Sequence, residues 1–325
     1  MKNYIFSNKT IYLSKDLPTT YMNLNGWSII CVTGLDKKKY LNNQFTIDIN
    51  MINYDNYKFG AHCNINGKVW TSFLIFQYKH FYIYIVRSSV CKKHIHELKK
   101  YSLFSKVNIF EEKKFCLFGL CGLNSSKLLE NFFSIKLSKK KSILVIHNII
   151  ILKINKPIER FLIIAYKKYL VDFLKFINCK AKYSNEMQWL ELDIESCFPI
   201  MNKEIMGRFI LQSLDLKKWG AINFNKGCYY GQEILCKYEN KKINKFIICS
   251  IIGKSNKNNI TYIFEPVEYK DVFGNRYNAG MVLSWVHIHK KKILLQVRMK
   301  INFFKRENNF FLLSHQDIDF KIYNM

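Results

Sequence analysis

The sequence predicts a mixed α+β chain with a β-rich C-terminal unit, and three observations carry that prediction. Up to about residue 240, runs rich in β-branched and aromatic residues alternate with capped, amphipathic helical stretches. After about Lys241 the helical signals stop and short strand-like runs follow one another to the end. At 325 residues and 49% hydrophobic composition, the chain has enough length and apolar surface for two or three packed units.

From Trp27 to Thr33 a mostly apolar run leads into Gly34 and Asp36, which reads as a strand, a turn and an Asp36-capped helix over Lys37 to Gln44. Three strands are expected at Lys58 to Asn64, Lys68 to Gln77 and Phe81 to Val86, the first two joined as a hairpin through Asn66-Gly67. Ser88 or Ser89 is placed to cap a helix running to about Tyr101, and Lys106 to Phe110 returns to strand.

Between Lys114 and Cys179 the pattern is strand (Phe115 to Leu120), helix (Ser125 to Phe133), two strands flanking His147-Asn148, strand (Arg160 to Ala165) and helix (Lys168 to Ile177). That order resembles a split βαβ lobe. Asn185 is expected to cap a helix that carries Met187, Leu190, Leu192 and Ile194 and stops before Pro199. Strand-like runs at Phe246 to Ile252, Ile260 to Phe264, Met281 to Val286 and Ile293 to Met299 make the last unit a small barrel or sandwich.

The formal charge is +27, which points to a polyanionic partner or to a generally solvated basic surface. Only six of the 51 basic residues are arginines (Arg87, Arg160, Arg208, Arg276, Arg298 and Arg306), against 45 lysines. Since Arg is the residue suited to bidentate phosphate recognition, charge carried by scattered Lys argues less for a dedicated phosphate groove. Ten cysteines occur with no C-x-x-C pair, which speaks against zinc ribbons and thioredoxin-type sites. Met1 to Lys15 hold no continuous apolar run of signal-peptide length, and Ile143 to Ile154 is too short and too interrupted to cross a bilayer. Free thiols in a reducing cytoplasm, with no membrane association, are therefore expected.

The sharpest local feature is Lys226-Gly227-Cys228-Tyr229-Tyr230-Gly231-Gln232-Glu233. Two glycines near one cysteine permit a tight backbone path and leave the sulfur unshielded. If their side chains converge, Lys226 favours the thiolate of Cys228, the form that acts as nucleophile or metal ligand. Gln232 and Glu233 add an amide and a carboxylate able to fix a polar ligand. Taken on residue type alone, the octet also fits a glycine-rich turn around a buried structural cysteine.

This octet resembles the K-G-C-[Y/F]-x-G-Q-E signature of the YgfZ family, folate-binding proteins related to the T-protein (aminomethyltransferase) of the glycine cleavage system. The resemblance extends to Leu24 through Ile49, to Ala61-His62-Cys63-Asn64 with Gly67-Lys68-Val69-Trp70, to Lys99-Lys100-Tyr101 with Phe104-Ser105-Lys106-Val107, and to Gln188-Trp189-Leu190 with Phe198-Pro199. It implies two interleaved α+β lobes around a central folate site and a C-terminal β-barrel. The implied division is 1–113 with 180–240 as the folate-binding lobe, 114–179 as a second, ferredoxin-like lobe, and 241–325 as the barrel.

The resemblance further implies that Trp27 and Trp189 contact a tetrahydrofolate derivative, and that Cys228 is the functional thiol of a loop shared with Lys226, Gly227, Tyr229, Gly231, Gln232 and Glu233. On residue type alone, both tryptophans read as core. Stacking of a flat pterin on an indole, however, contributes about 0.5–1.5 kcal/mol beyond area burial. The implied role is that of a monomeric accessory factor for iron–sulfur enzymes, notably those that methylthiolate tRNA. One cysteine is too few to hold a cluster alone, so only transient or shared ligation fits.

Departures from the family pattern shape the alternatives. T-protein enzymes carry paired acids soon after the hairpin glycines, where Thr71-Ser72 stand here, and no carboxylate is ready to assist aminomethyl transfer. Tyr230 replaces a usual Thr, Cys236-Lys237 replaces a usual Ala-Arg, and Leu211 stands where Pro is common. A folate-dependent one-carbon transferase and a basic protein that binds tRNA directly remain as competing readings. His94-x-His96 and His287-x-His289 lack a third ligand and read as surface histidines, and His62 beside Cys63 points to the opposite strand face. No metal site and no glycine-rich phosphate loop is expected.

Overall fold

The computed structural model describes residues 9–138, 140–240, 245–255, 262–306 and 309–324. Along the chain run β1 (Thr20–Asn23), β2 (Trp27–Thr33), α1 (Lys37–Gln44), β3 (Tyr57–Cys63), β4 (Val69–Tyr78), β5 (Phe81–Arg87), α2 (Ser88–Lys99) and β6 (Asn108–Glu111). Then come β7 (Phe115–Cys121), α3 (Ser125–Phe133), β8 (Ile143–Ile146), β9 (Ile149–Ile154), β10 (Arg160–Tyr166), α4 (Lys167–Asn178), β11 (Lys182–Ser184) and α5 (Met187–Glu195). The remainder is α6 (Gln232–Asn240), β12 (Phe246–Lys254), β13 (Pro266–Lys270), β14 (Arg276–Ile288), β15 (Lys292–Lys300), α7 (Ile301–Phe304), β16 (Phe310–Leu312) and β17 (His315–Asn324).

An antiparallel five-stranded sheet is ordered β3-β4-β5-β2-β6. A six-stranded sheet is ordered β11-β1-β7-β10-β9-β8, with the β11–β1 pair parallel and the rest antiparallel. Strand β1 therefore leaves the sheet of its chain neighbour β2 and inserts beside β7, which interleaves the two lobes. The lone parallel pair closes over more than 150 residues of chain, a pairing no local propensity specifies. The last six strands form a closed barrel, β12-β15-β14-β13-β16-β17, in which β17 pairs back on β12. Closure removes the exposed edges that an open sandwich would leave.

Local chemistry explains several elements. Asn66-Gly67 turn the β3–β4 hairpin, with Gly67 at φ +67° and its amide on the Asn64 carbonyl. Asn185 Oδ1 accepts from the Met187 amide at 3.0 Å and caps α5 as expected. Asp36 sits at the start of α1 without capping it. Its carboxylate instead accepts from the Lys106 amide at 2.7 Å, because the 102–106 loop folds against Gly34. Helix α2 starts at Ser88 itself and ends at Lys99, and the Ser88 hydroxyl donates to the Asn25 carbonyl rather than capping. Of the strand expected at Ile260 to Phe264, residues 260 and 261 lie outside the described residues, and Ile263 and Phe264 form a turn.

Helix α5 is the axis of the molecule. From Gln188 to Glu195 every residue is buried, Met187 being partly so, and the helix packs on β12, β14 and β15 of the barrel while Trp189 and Leu192 enter the core between the two open sheets. Among the described residues, no helix is long and apolar enough to cross a membrane.

Candidate functional site

Two constellations emerge, and they lie in different hollows. The first is built by β2, β5, β10 and α5 around the two tryptophans. Trp27 opens β2, is half-buried, and carries the Arg87 guanidinium over its ring at 4.1 Å. Trp189, 3% exposed, carries the Arg160 guanidinium at 4.4 Å and presses its six-membered ring on Gly119, where a Cβ would stand 2.5 Å away. Both tryptophans pack in the same apolar cluster. Trp27 also lines an open hollow of about 490 Å³ with Ser28, Cys91, Glu111, Phe115 and Phe118.

The polar groups behind these rings have unused capacity. Arg160 Nη2 donates to Asp193 Oδ1 at 2.6 Å in a buried pair, and the Asp193 carboxylate also acts on Arg87. Yet Arg87 Nε and Nη1, Arg160 Nη1 and Glu191 Oε1 are buried without a hydrogen-bond partner among the described residues. Burial, together with a hydrogen bond to Glu195, pushes the Glu191 carboxyl well above the usual carboxylate range. Gln188 ties this floor to the N-terminal segment, donating to the Tyr12 carbonyl at 2.7 Å and to Glu191 at 3.0 Å. Flat rings bearing cations beside unpaired donors are suited to a flat, polar, anionic ligand. A folate fits that description, because its pterin is flat and its glutamate tail is anionic.

The second constellation is the Lys226–Glu233 loop. Lys226 turns inward, and its ammonium donates to the Phe45 carbonyl at 2.8 Å, the Ile47 carbonyl at 2.7 Å and the Asn42 carbonyl. An ammonium has three hydrogens, so this set of carbonyls at the end of α1 uses all of them. Burial pushes its pKa down to about 8, opposed by Asp48. Lys226 thus pins the loop to α1, and it is not spent on the thiol of Cys228, which is exposed.

Tyr229 is buried, its hydroxyl without a partner among the described residues, and its amide donates to Gln232 Oε1 at 3.1 Å, so Gln232 braces the loop from the start of α6. Glu233 forms an exposed pair with Lys237 at 2.7 Å, one helical turn on. The two glycines differ. Gly231 has φ +83° and packs against Asn64 and Cys63, whereas around Gly227 there is open space. Tyr230 meets Tyr101 hydroxyl to hydroxyl at 2.5 Å, a contact the octet gave no means to find because Tyr101 lies 129 residues away.

Cys228 faces an open cleft of about 850 Å³ lined also by Asn43, Gln44, Ile65 and Cys236. No residue of that cleft lines the Trp27 hollow. The structure therefore gathers Trp27 with Trp189 and gathers the octet around Cys228, and it does not bring the two groups into one pocket.

Arg87 and Arg160 were missed from sequence. The signal that marks them is their rarity, since two of only six arginines lie on the two tryptophans. Thr71 and Ser72 are buried, and their hydroxyls donate to the Ser72 and Pro199 carbonyls. His94, expected at the surface, is fully buried: its Nδ1 faces His62 Nδ1 at 3.3 Å and its Nε2 meets the Tyr84 hydroxyl at 2.9 Å. Helix α2 turns that face onto the five-stranded sheet, which its H-x-H spacing does not reveal. Among the described residues, no group of three or more His, Cys, Asp or Glu is arranged to hold a metal ion.

No family model matches the chain. Its relatives include the tRNA-modifying protein YgfZ of Buchnera aphidicola subsp. Schizaphis graminum, 40% identical over 289 residues, covering 88% of this chain and 89% of that protein. The protein of the same name from Blochmanniella pennsylvanica is 35% identical, covering 87% and 88%, and that of Escherichia coli O157:H7 is 34% identical, covering 88% and 87%. In fold the chain is similar to glycine cleavage system aminomethyltransferase T from Bartonella henselae, with a TM-score of 0.74 at 12% identity, over 95% of this chain and 86% of that one. With three such relatives matched along nearly nine-tenths of its length, the chain belongs to the YgfZ family.

Proposed function

We propose that this protein is a folate-binding factor for tRNA modification, in which Trp27 and Trp189 form the folate site and Cys228 is the functional thiol. The observation that carries the folate reading is the pair of Trp–Arg stacks with unfilled hydrogen-bonding capacity at Arg87, Arg160 and Glu191. Relatives named as tRNA-modifying proteins and the aminomethyltransferase-like fold support it. Bound folate supplies a reduced pterin able to carry a one-carbon unit. Trp27, which opens on the hollow, would meet its rings, Trp189 would back that wall from the core, and Arg87 and Arg160 would balance its charge.

Cys228 would then act outward. Its cleft is separate from the Trp27 hollow and open to solvent, so the thiol is presented to a partner macromolecule rather than to the folate. This arrangement suits an accessory role toward iron–sulfur enzymes that methylthiolate tRNA, in which a single cysteine gives at most one ligand to a shared or transient cluster. The hydroxyls of Thr71 and Ser72, each engaged on a carbonyl, weigh toward this role over one-carbon transfer, for which a carboxylate is needed. In the cell the thiols would stay reduced, in the cytoplasm.

Tetrahydrofolate titration followed by tryptophan fluorescence tests the site. Trp27→Ala and Arg87→Met should each weaken binding about tenfold or more, as expected for loss of roughly 1–3 kcal/mol of stacking or charged hydrogen bonding. Wild-type affinity in both variants would remove folate from this place. For the thiol, a Cys228→Ala strain should lose tRNA methylthiolation while the purified variant folds and binds folate normally; full complementation would make the loop structural.

A further inference from the structure

We propose that the surface joining Phe104 to the Cys228 cleft is a binding site for single-stranded RNA. It rests on the reading of this chain as a tRNA-modification factor only for which RNA is bound. Phe104 is fully exposed, with Leu103 and Leu35 beside it at 82% and 83% exposure, an unusual concentration of bare apolar side chains. The loops that carry them are fixed to one another: Lys106 donates its amide to Asp36, and the Asp36 amide donates to the Lys106 carbonyl.

From Phe104 two neighbouring hollows lead toward the thiol. A hollow of about 200 Å³ is lined by Phe104, Tyr101, Lys39, Asn43 and Gln44, and the Cys228 cleft shares Asn43 and Gln44 as its wall. Across that wall the Tyr101 and Tyr230 rings lie 4.7 Å apart, and the Tyr230 amide donates to the Asn43 carbonyl at 2.9 Å. Aromatic faces are thereby spaced along a path that ends at an exposed cysteine.

Cations without a partner predominate along this path. Lys38, Lys39, Lys99 and Lys106 are exposed and carry no ion pair among the described residues. The nearby acids are engaged: Asp36 by the Lys106 amide, Glu97 by Lys100 at 2.8 Å and Glu233 by Lys237. Free lysines beside exposed aromatic rings are what a single strand needs, since unpaired bases offer π-faces to stack while phosphates take the cations. A duplex hides those faces, and an acidic peptide has no use for the rings.

The test is fluorescence anisotropy with a labelled single-stranded RNA of about 12 nucleotides and with the matching duplex. The wild type should bind the single strand in preference to the duplex, and affinity should fall steeply between about 50 and 200 mM salt. Phe104→Ser should weaken binding roughly tenfold, and Lys39→Gln with Lys106→Gln should lower the salt slope by about 0.7 per lysine. Phe273→Ser, at another exposed phenylalanine, in the β13–β14 turn, should change nothing.

Tetrahydrofolate titration of the Phe104→Ser variant separates this proposal from the folate reading. RNA binding that depends on Phe104 in a protein that fails to bind folate sustains the RNA site and overturns the folate assignment. Intact folate binding with no RNA binding, with equal binding of duplex, or with equal losses at Phe104 and Phe273, overturns the RNA site.

Discussion

A Cβ on Gly231 would stand 2.5 Å from the Asn64 carbonyl oxygen and 2.7 Å from Cys63 Sγ, so the thiol loop is seated on the β3–β4 hairpin through a glycine that nothing larger can replace. Gly231 also has φ +83°, which L-residues rarely adopt. Gly231→Ala should therefore destabilise the protein by roughly 2–5 kcal/mol, combining left-handed strain with overpacking. Gly227→Ala meets open space and should stay within about 0.5 kcal/mol of the wild type. Urea unfolding of the two variants checks this, and equal midpoints would mean that the seating does not exist.

His62 and His94 are buried without charge, and burial pushes the His62 pKa down to about 3 and that of His94 well below its usual value. Unfolded, both histidines bind protons from about pH 6.5 downward, so below that pH the unfolded state holds more protons and stability falls. The lost stability is fully present above pH 6.5. The loss is about 1.4 kcal/mol per pH unit for each histidine while the unfolded chain is protonated and the folded one is not. Midpoints measured from pH 7 to pH 5 should drop more steeply for the wild type than for His62→Gln with His94→Gln, and parallel slopes would refute the assignment.

Arg160 and Asp193 form a buried pair at 2.6 Å, the guanidinium also covering Trp189. Arg160→Met strands the carboxylate and should cost about 3–5 kcal/mol. Adding Asp193→Leu removes the stranded charge and should restore much of that stability. A single variant within about 1 kcal/mol of the wild type would show that solvent reaches the pair.

Of the ten cysteines, Cys228 and Cys179 are exposed, Cys116 and Cys236 are half-buried, and six are buried. A chromogenic disulfide reagent should meet a fast phase from the first two and slow phases from the others, because attack requires an accessible thiolate. The fast phase should vanish in Cys179→Ala with Cys228→Ala, whose stability should remain within about 0.5 kcal/mol of the parent. Persistence of the phase in that variant would place an open thiol elsewhere.

Much of the fold was legible because its signals are local. Asn66-Gly67 announced a hairpin, Ser125 to Phe133 formed the helix expected of it, and Asn185 capped α5. Where an expectation failed, a distant segment had outcompeted the local one. The Asp36 carboxylate was taken by the Lys106 amide, 70 residues on, and Ser88 turned to Asn25. His94 reads as a surface residue until α2 lies down on the sheet that carries Tyr84 and His62.

By itself the sequence determined the alternation of strands and helices, the β-rich end and the Lys226–Glu233 octet, all properties of residue type and short spacing, while the family resemblance singled out Trp27 and Trp189. The tertiary structure alone decided that β1 pairs with β7 and β11, that Arg87 and Arg160 lie over Trp27 and Trp189, that the Lys226 ammonium is spent on the carbonyls of Phe45 and Ile47, and that Cys228 opens beside Tyr230 rather than beside the tryptophans. Each of these joins residues far apart in the chain. Such contacts form only when the whole core closes, because burial leaves every ammonium and guanidinium to seek whatever acceptor or ring the packed chain brings within reach.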